Sequence, residues 1–246
     1  MDHIIYTAMT GANASANRQA VLSNNLANVS TNGFRAELST FRAVPVRGDG
    51  APTRVMALEA TAGYLDTPGT PIRTGRGLDA MATGNSWFAA QALDGTEAYT
   101  RNGSFQVAND GTLKTSNGLT VLSDGGSPIA VPAGAEVTIG FDGNLSAKVG
   151  NQPSTGIGRL KLVTPTADDP LKRGNDGLFR AASGDPLQND AGAKLQLGVL
   201  EGSNVNAIET MVGMIQTARQ FETQMRLLQT AESNDRSADK LLSMQG

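Results

Sequence analysis

Residues 24–35 read NNLANVSTNGFR, from Asn24 to Arg35. Leu26 and Val29 carry an apolar three-residue spacing into a run of amides, and the stretch closes on Asn32-Gly33, a strong turn signal. A helix therefore ends here, before the chain has had room to build a domain. Working back, Ile5, Met9, Ala12, Ala16, Gln19, Leu22 and Leu26 recur at three- and four-residue intervals, which predicts a helix from about Ile5 to Val29. The stripe is thin, and Gly11, Asn13, Asn17, Ser23 and Asn24 are mediocre helix formers, so this helix needs a partner surface. At its end Asn25 and Asn28 share a helix face, where their amides can satisfy backbone groups. Gly33 is expected at a positive φ after the helix, with Phe34 anchoring the start of a connector. A well-made C-terminal cap and an interface element both fit these residues.

Beyond Gly33 the period changes. Ser104–Ala108, Arg159–Val163 and Lys194–Leu200 alternate as half-buried strands do, through Phe105, Leu160, Leu162, Leu195, Leu197 and Val199. Between such runs stand Asp94-Gly95, Asn102-Gly103, Asp110-Gly111, Asn117-Gly118, Asp124-Gly125, Asp142-Gly143 and Asp176-Gly177, hairpin signals because both residue types tolerate positive φ. The middle is read as an antiparallel sandwich or barrel. Arg47–Thr74, rich in Gly, Pro, Thr and Ala, reads as an extended connector or loop.

From Ser203 helical spacing returns. Ile208, Met211, Ile215, Ala218, Phe221, Met225 and Leu228 form a second stripe, with Asn204 or Ser203 as its N-cap and Val205 beside them. A helix of about 40 residues reaches ~60 Å, more than a domain of this size can cover. The expected fold class is α+β: discontinuous N- and C-terminal helices (1–35 with 201–246) pairing as a coiled-coil-like domain, a connector (36–74), and a central antiparallel all-β domain (75–200).

Composition removes several functions. A net charge of −3 without a basic cluster argues against nucleic acid, and no apolar run is long enough to insert in a membrane. Ala14-Ser15-Ala16 has the look of a signal-peptidase site but lacks the basic and apolar segments a cleaved signal needs. There is no cysteine, and His3 is the sole histidine, so no zinc site of the usual kind is expected. The Asp-Gly pairs lack the alternating oxygen ligands of a calcium loop. Glu232, Asp235 and Asp239 share a helix face with Arg236 and Lys240, which reads as a salted surface. Neither a phosphate loop nor a dinucleotide fingerprint is present. No cofactor and no metal are expected, and no catalytic residue is assigned. A self-contained β-domain binding module and a carboxylate-pair hydrolase remain as other classes.

Two motifs at opposite ends decide further. Asn25-Leu26-Ala27-Asn28 with Thr31-Asn32-Gly33-Phe34-Arg35 resembles the N-terminal signature of the flagellar rod, hook and hook-associated axial proteins. Glu201-Gly202-Ser203-Asn204-Val205-Asn206, Glu209, Met211, Met214-Ile215, Arg219 and Phe221-Glu222 resemble the C-terminal one. Tyr99–Phe105 and Asp110–Leu113 also look familial, so the resemblance spans nearly the whole chain. The nearest branch is the proximal rod, carried by Met1–Met9, Arg42–Val46, Gly158–Val163 and Gly177–Arg180, with distal rod and hook-type subunits as the neighbouring alternative. Asn32 stands where proline is common, and Gly213 interrupts the second helix.

The resemblance implies a non-enzymatic subunit exported unfolded through the flagellar export apparatus, without a cleaved signal, into the periplasmic rod of the basal body. Its partners would be neighbouring proximal and distal rod subunits and copies of itself. The assembly surface it implies gathers Ile5, Met9, Leu22, Asn25, Leu26, Asn28, Gly33, Phe34, Asn204, Val205, Ile208, Met211, Ile215, Phe221, Met225 and Leu228.

Overall fold

The computed structural model describes residues 2–45 and 55–243. Met1, Val46, positions 47–54 of the expected connector and residues 244–246 lie outside them. The chain forms two compact units, one of residues 1–29, 36–65 and 205–246 and the other of residues 30–35 and 66–204.

The first unit is helical with a hairpin. Helix α1 is Asp2–Ala27, strands β1 and β2 are Glu37–Pro45 and Val55–Tyr64, and helix α2 is Ala207–Ser243. The connector reading is corrected here: β1 and β2 pair antiparallel from Glu37 opposite Tyr64 to Pro45 opposite Val55, with a bulge between Thr40 and Phe41. The strands were illegible because Leu38 stays exposed while Glu37 and Ser39 are half-buried, inverting the usual alternation. Asn25 explains the inversion. Its Nδ2 donates to the Glu37 carbonyl (2.9 Å) and its Oδ1 accepts from the Glu37 N–H (2.8 Å), so a buried amide holds the strand against α1.

The helices run antiparallel. A Cβ on Gly11 would stand 3.0 Å from Gln224, and one on Gly213 would stand 3.4 Å from Leu22; stepping from 11 to 22 on α1 therefore steps from 224 to 213 on α2. Extended, that register sets Asp2 beside Ser233, and α2 continues to Ser243, so about ten residues, ~15 Å, overhang the start of α1. The α2 N-cap is Asn206, not Asn204 or Ser203: its Oδ1 accepts from the backbone of Ile208 (3.1 Å) and Glu209 (3.3 Å). Asn204 is engaged otherwise, donating from Nδ2 to the Thr67 carbonyl (2.9 Å).

The second unit is the β unit, and its pairings are antiparallel throughout. Trp87–Gln91 is its hub. One edge pairs with Glu97–Thr100; the other pairs with Leu162–Val163 along its first half and Thr120–Val121 along its second. The sheet extends to Phe179–Ala181 and Leu171–Arg173 on one side and to Leu113–Thr115 and Phe105–Val107 on the other. A three-stranded sheet of Ala135–Ile139, Asn144–Val149 and Thr155–Arg159 completes the core with Phe88, Phe105, Ile129, Leu145, Leu160 and Leu162. The hub is apolar on both faces because both are covered. Lys194–Leu200 is not one strand: Gly198, at φ 65°, divides Leu195–Leu197 from Val199–Glu201, which pair with different partners.

The Asx-Gly turns use one rule that differs from expectation. At Gly95, Gly111, Gly118, Gly143 and Gly177 only the glycine has positive φ, and no non-glycine does among the described residues. The preceding Asp instead accepts a backbone N–H two residues on, as Asp94, Asp110, Asp142 and Asp176 do. These are type I turns closed by a glycine bulge, in which the Asx side chain caps the turn. Two pairs depart. In Asp124-Gly125 the positive φ falls on Gly126, and Gly103 sits packed with negative φ where a Cβ would stand 1.7 Å from the Ala80 carbonyl oxygen.

Candidate assembly interface

The seam between α1 and α2 is built from small and polar residues. Ala8, Ala12 and Ser15 are buried on α1, four and three residues apart, and Thr210, Thr217 and Ala231 on α2, seven and fourteen apart. Their hydroxyls survive burial by bonding their own helix: Ser15 Oγ donates to the Gly11 carbonyl (3.0 Å) and Thr210 Oγ1 to the Asn206 carbonyl (2.7 Å).

The apolar stripe on α2 lies one residue past this seam. Ile208, Met211 and Ile215 follow Ala207, Thr210 and Met214, and one residue turns the helix by about 100°. Ile208 is accordingly 77% exposed, Met211 50% and Ile215 56%, with Phe221 and Met225 also exposed. Leu228 is half-buried. On α1, Met9 and Ala16 likewise face outward, while Ile5, Leu22 and Leu26 are half-buried. On α2 the first three members of the stripe are thus distinct from the residues that meet α1, whereas α1 keeps Ala12 and Leu22 of its own stripe in the seam.

Other residues of the expected surface are engaged within the chain. Asn28 Nδ2 donates to the carbonyl and side-chain oxygens of Asn24, both at 2.9 Å. In the β unit Gly33 has φ 71°, and a Cβ there would stand 2.4 Å from the Arg101–Asn102 peptide, so no side chain fits. Its N–H donates to the Glu201 carbonyl (2.7 Å), and Asn204 N–H donates to the Phe34 carbonyl (3.3 Å). Phe34 is buried beneath the Arg173 guanidinium, 4.7 Å from its ring centroid. Val205 is half-buried. Glu232 pairs with Arg236 on an exposed face of α2; the side chains of His3 and Asp239 lie outside the described residues.

Sequence reasoning missed a buried ionic cluster. Glu201 Oε1 stands 2.5 Å from Arg35 Nη1, and its Oε2 2.9 Å from Arg101 Nε, all three side chains being at most 2% exposed. The Arg101 N–H direction misses Oε2, so that pair is an electrostatic contact rather than an aligned hydrogen bond. Arg35 Nη1 also donates to the Thr67 carbonyl (2.8 Å), Arg101 Nη2 to the Gly84 carbonyl (2.8 Å), and the Gly69 N–H donates to Glu201 (3.0 Å). Both guanidiniums lie near the buried Trp87 ring, at 5.8 and 5.4 Å. Burial pushes Arg101 below the ordinary arginine value, with the Glu201 charge pulling it back up and Arg35 adding to the fall. The signal available in sequence was that Arg35, Arg101 and Glu201 each sit inside a different familial motif.

Among the described residues no helix is long and apolar enough to cross a membrane. Three family models match the chain: "Flagella basal body rod protein" over residues 5–35, "Flagellar hook protein FlgE/F/G D1 domain" over 81–147, and "Flagellar basal body rod FlgEFG protein C-terminal" over 196–241. The chain is 47% identical to the flagellar basal-body rod protein FlgF of Escherichia coli, covering 99% of this chain and 100% of that one. It is 33% identical to FlgF of Rhizobium meliloti over 98% and 97% of the two chains. To the flagellar basal-body rod protein FlgG of Buchnera aphidicola from Schizaphis graminum it is 30% identical over 93% and 95%.

Proposed function

The chain belongs to the FlgF family of flagellar basal-body rod proteins and is a structural rod subunit; from that premise we propose that it occupies the proximal rod and polymerises through its terminal helices. Residues 1–35 and 201–246 serve as the assembly segments, and the central β region as an outer layer. One observation carries the reading: large apolar side chains at Ile208, Met211 and Ile215 stay exposed on a helix that has already paired with α1. A helix that meets its neighbour through small and polar residues keeps its strongest apolar face for another chain.

The role is mechanical rather than catalytic, and its partners are neighbouring proximal and distal rod subunits and further copies of the chain. The subunit reaches the periplasmic rod through the flagellar export apparatus without losing a signal segment. Helices of low intrinsic propensity support this route: they stay unfolded during passage and order when neighbours cover them. A distal position is the second reading, favoured by near-complete coverage of FlgG relatives. Electron microscopy of basal bodies from cells lacking this protein tests the assignment. Rods truncated at their proximal portion are expected, and complete rods would overturn it.

A further inference from the structure

Residues 30–35 belong to the β unit although they follow α1 in the chain. Two backbone hydrogen bonds tie them to the C-terminal segment of that unit: Gly33 N–H donates to the Glu201 carbonyl (2.7 Å), and the Phe34 carbonyl accepts from Asn204 N–H (3.3 Å). A third tie is Arg35, whose Nη1 stands 2.5 Å from Glu201 Oε1. The same nitrogen donates to the Thr67 carbonyl (2.8 Å). The first segment of the β unit is therefore seated chiefly on its last.

Arg101 is anchored differently. Its guanidinium donates to the Ser86 and Gly84 carbonyls, in the loop just before the hub strand Trp87–Gln91, so its place does not depend on Glu201. Both guanidiniums lie near the Trp87 ring, and among the described residues Glu201 is the one carboxylate within ion-pair distance of either. Were Arg35 to dock without Glu201, a second positive charge would enter a buried site where the first is already fixed. Like charges repel strongly where solvent cannot screen them, and a buried charge without its partner costs more than the few hydrogen bonds of one short segment return. Even with Glu201 the site holds two positive charges against one negative, so no spare carboxylate can stand in for it.

We propose that Glu201 gates the docking of residues 30–35: the segment seats on the β unit only when the Glu201 carboxylate bridges the two guanidiniums, so the earliest piece of the unit is the last to close. Arg35 and Arg101 both precede Glu201 in the chain. A chain delivered N-terminus first thus holds the two like charges, and lacks the carboxylate, until everything but the last helix has followed. The gate rests on the reading of the chain as an exported rod subunit only for its use, which is to keep the β unit open during passage and to close it on completion.

Hydrogen exchange of the isolated full-length chain, read by mass spectrometry, separates gating from plain support. Glu201→Gln removes the charge but keeps a side-chain oxygen for the Gly69 N–H. In that variant the amides of residues 31–35 are expected to accelerate, relative to wild type, at least ten-fold more than those of the hub Trp87–Gln91, because the segment opens locally. Equal acceleration in both places would make Glu201 a general core support and overturn the proposal, as would unchanged exchange at residues 31–35. Adding Arg35→Met to Glu201→Gln removes the repulsion and should recover at least ten-fold of the lost protection. A double variant as open as the single one would refute the gate. If Glu201→Gln alone does not fold, the double variant decides: a folded chain supports the gate and an unfolded one refutes it. All of these measurements use the free chain, so absence of the wild-type chain from purified rods would bring down the functional reading and leave the gate standing.

Discussion

Glu201 holds a charge where almost no solvent reaches it, between two guanidiniums that are as deeply buried. Removing that charge leaves Arg35 and Arg101 facing one another in a low-dielectric site. Glu201→Gln is therefore expected to destabilise the β unit by about 3–5 kcal/mol, the usual cost of orphaning a buried partner, read as a lowered denaturation midpoint. The turn aspartates act in the opposite environment. Hydrogen bonds from Thr112 and the Lys114 ammonium hold Asp110 well below the usual carboxylate range, and Thr96 bonds lower Asp94. Groups whose folded pKa is depressed contribute stability fully present above the unfolded value near 3.9 and lost as pH falls through the folded one. The melting temperature should thus stay flat from neutral pH to about pH 5 and decline below about pH 4. Asp110→Asn, which keeps a turn-capping oxygen but does not titrate, should make that decline shallower.

Helix α2 shows how a single stripe can be counted correctly and still be assigned to the wrong neighbour. Its apolar period is plain in sequence, yet the covered face is offset by one residue along the first half of the helix, at Ala207, Thr210, Met214 and Thr217, and rejoins the stripe only at the half-buried Leu228. Small residues let the axes approach, and serine or threonine there can satisfy its hydroxyl on its own backbone, so the seam needs few large apolar side chains. Ile215→Ser is accordingly expected to change the stability of the isolated chain by no more than about 0.5 kcal/mol, as exposed substitutions do. Its effect belongs to assembly: motility and the amount of protein in purified rods should drop sharply. A variant that melts normally and swims normally would mean that nothing covers this face.

At the scale of the whole chain, the helical unit is closed by segments from opposite ends, residues 1–29 and 205–246, with the hairpin of residues 36–65 between them in sequence. α1 cannot find α2 until the last part of the chain is available, and α1 alone is a poor helix. Deleting 205–246 should therefore lower helical circular dichroism by more than the deleted residues account for, because α1 loses its partner. The β unit, whose residues 66–204 are nearly contiguous, should keep its near-ultraviolet signal in the same truncation.

The sequence by itself determined what local chemistry determines: both terminal helices by their period, the antiparallel middle by its strand alternation and Asp-Gly turns, the conformation of Gly33, and the family by motifs at the two ends. Tertiary structure decided whatever depends on residues far apart in the chain. It paired Arg35 and Arg101 with Glu201, turned Asn25 from a helix-end amide into a clamp on β1, made strands of the expected connector, and left Ile208 and Met211 facing solvent. Periodicity reports that a helix has an apolar side; only packing selects which side is used inside the molecule and which remains for another.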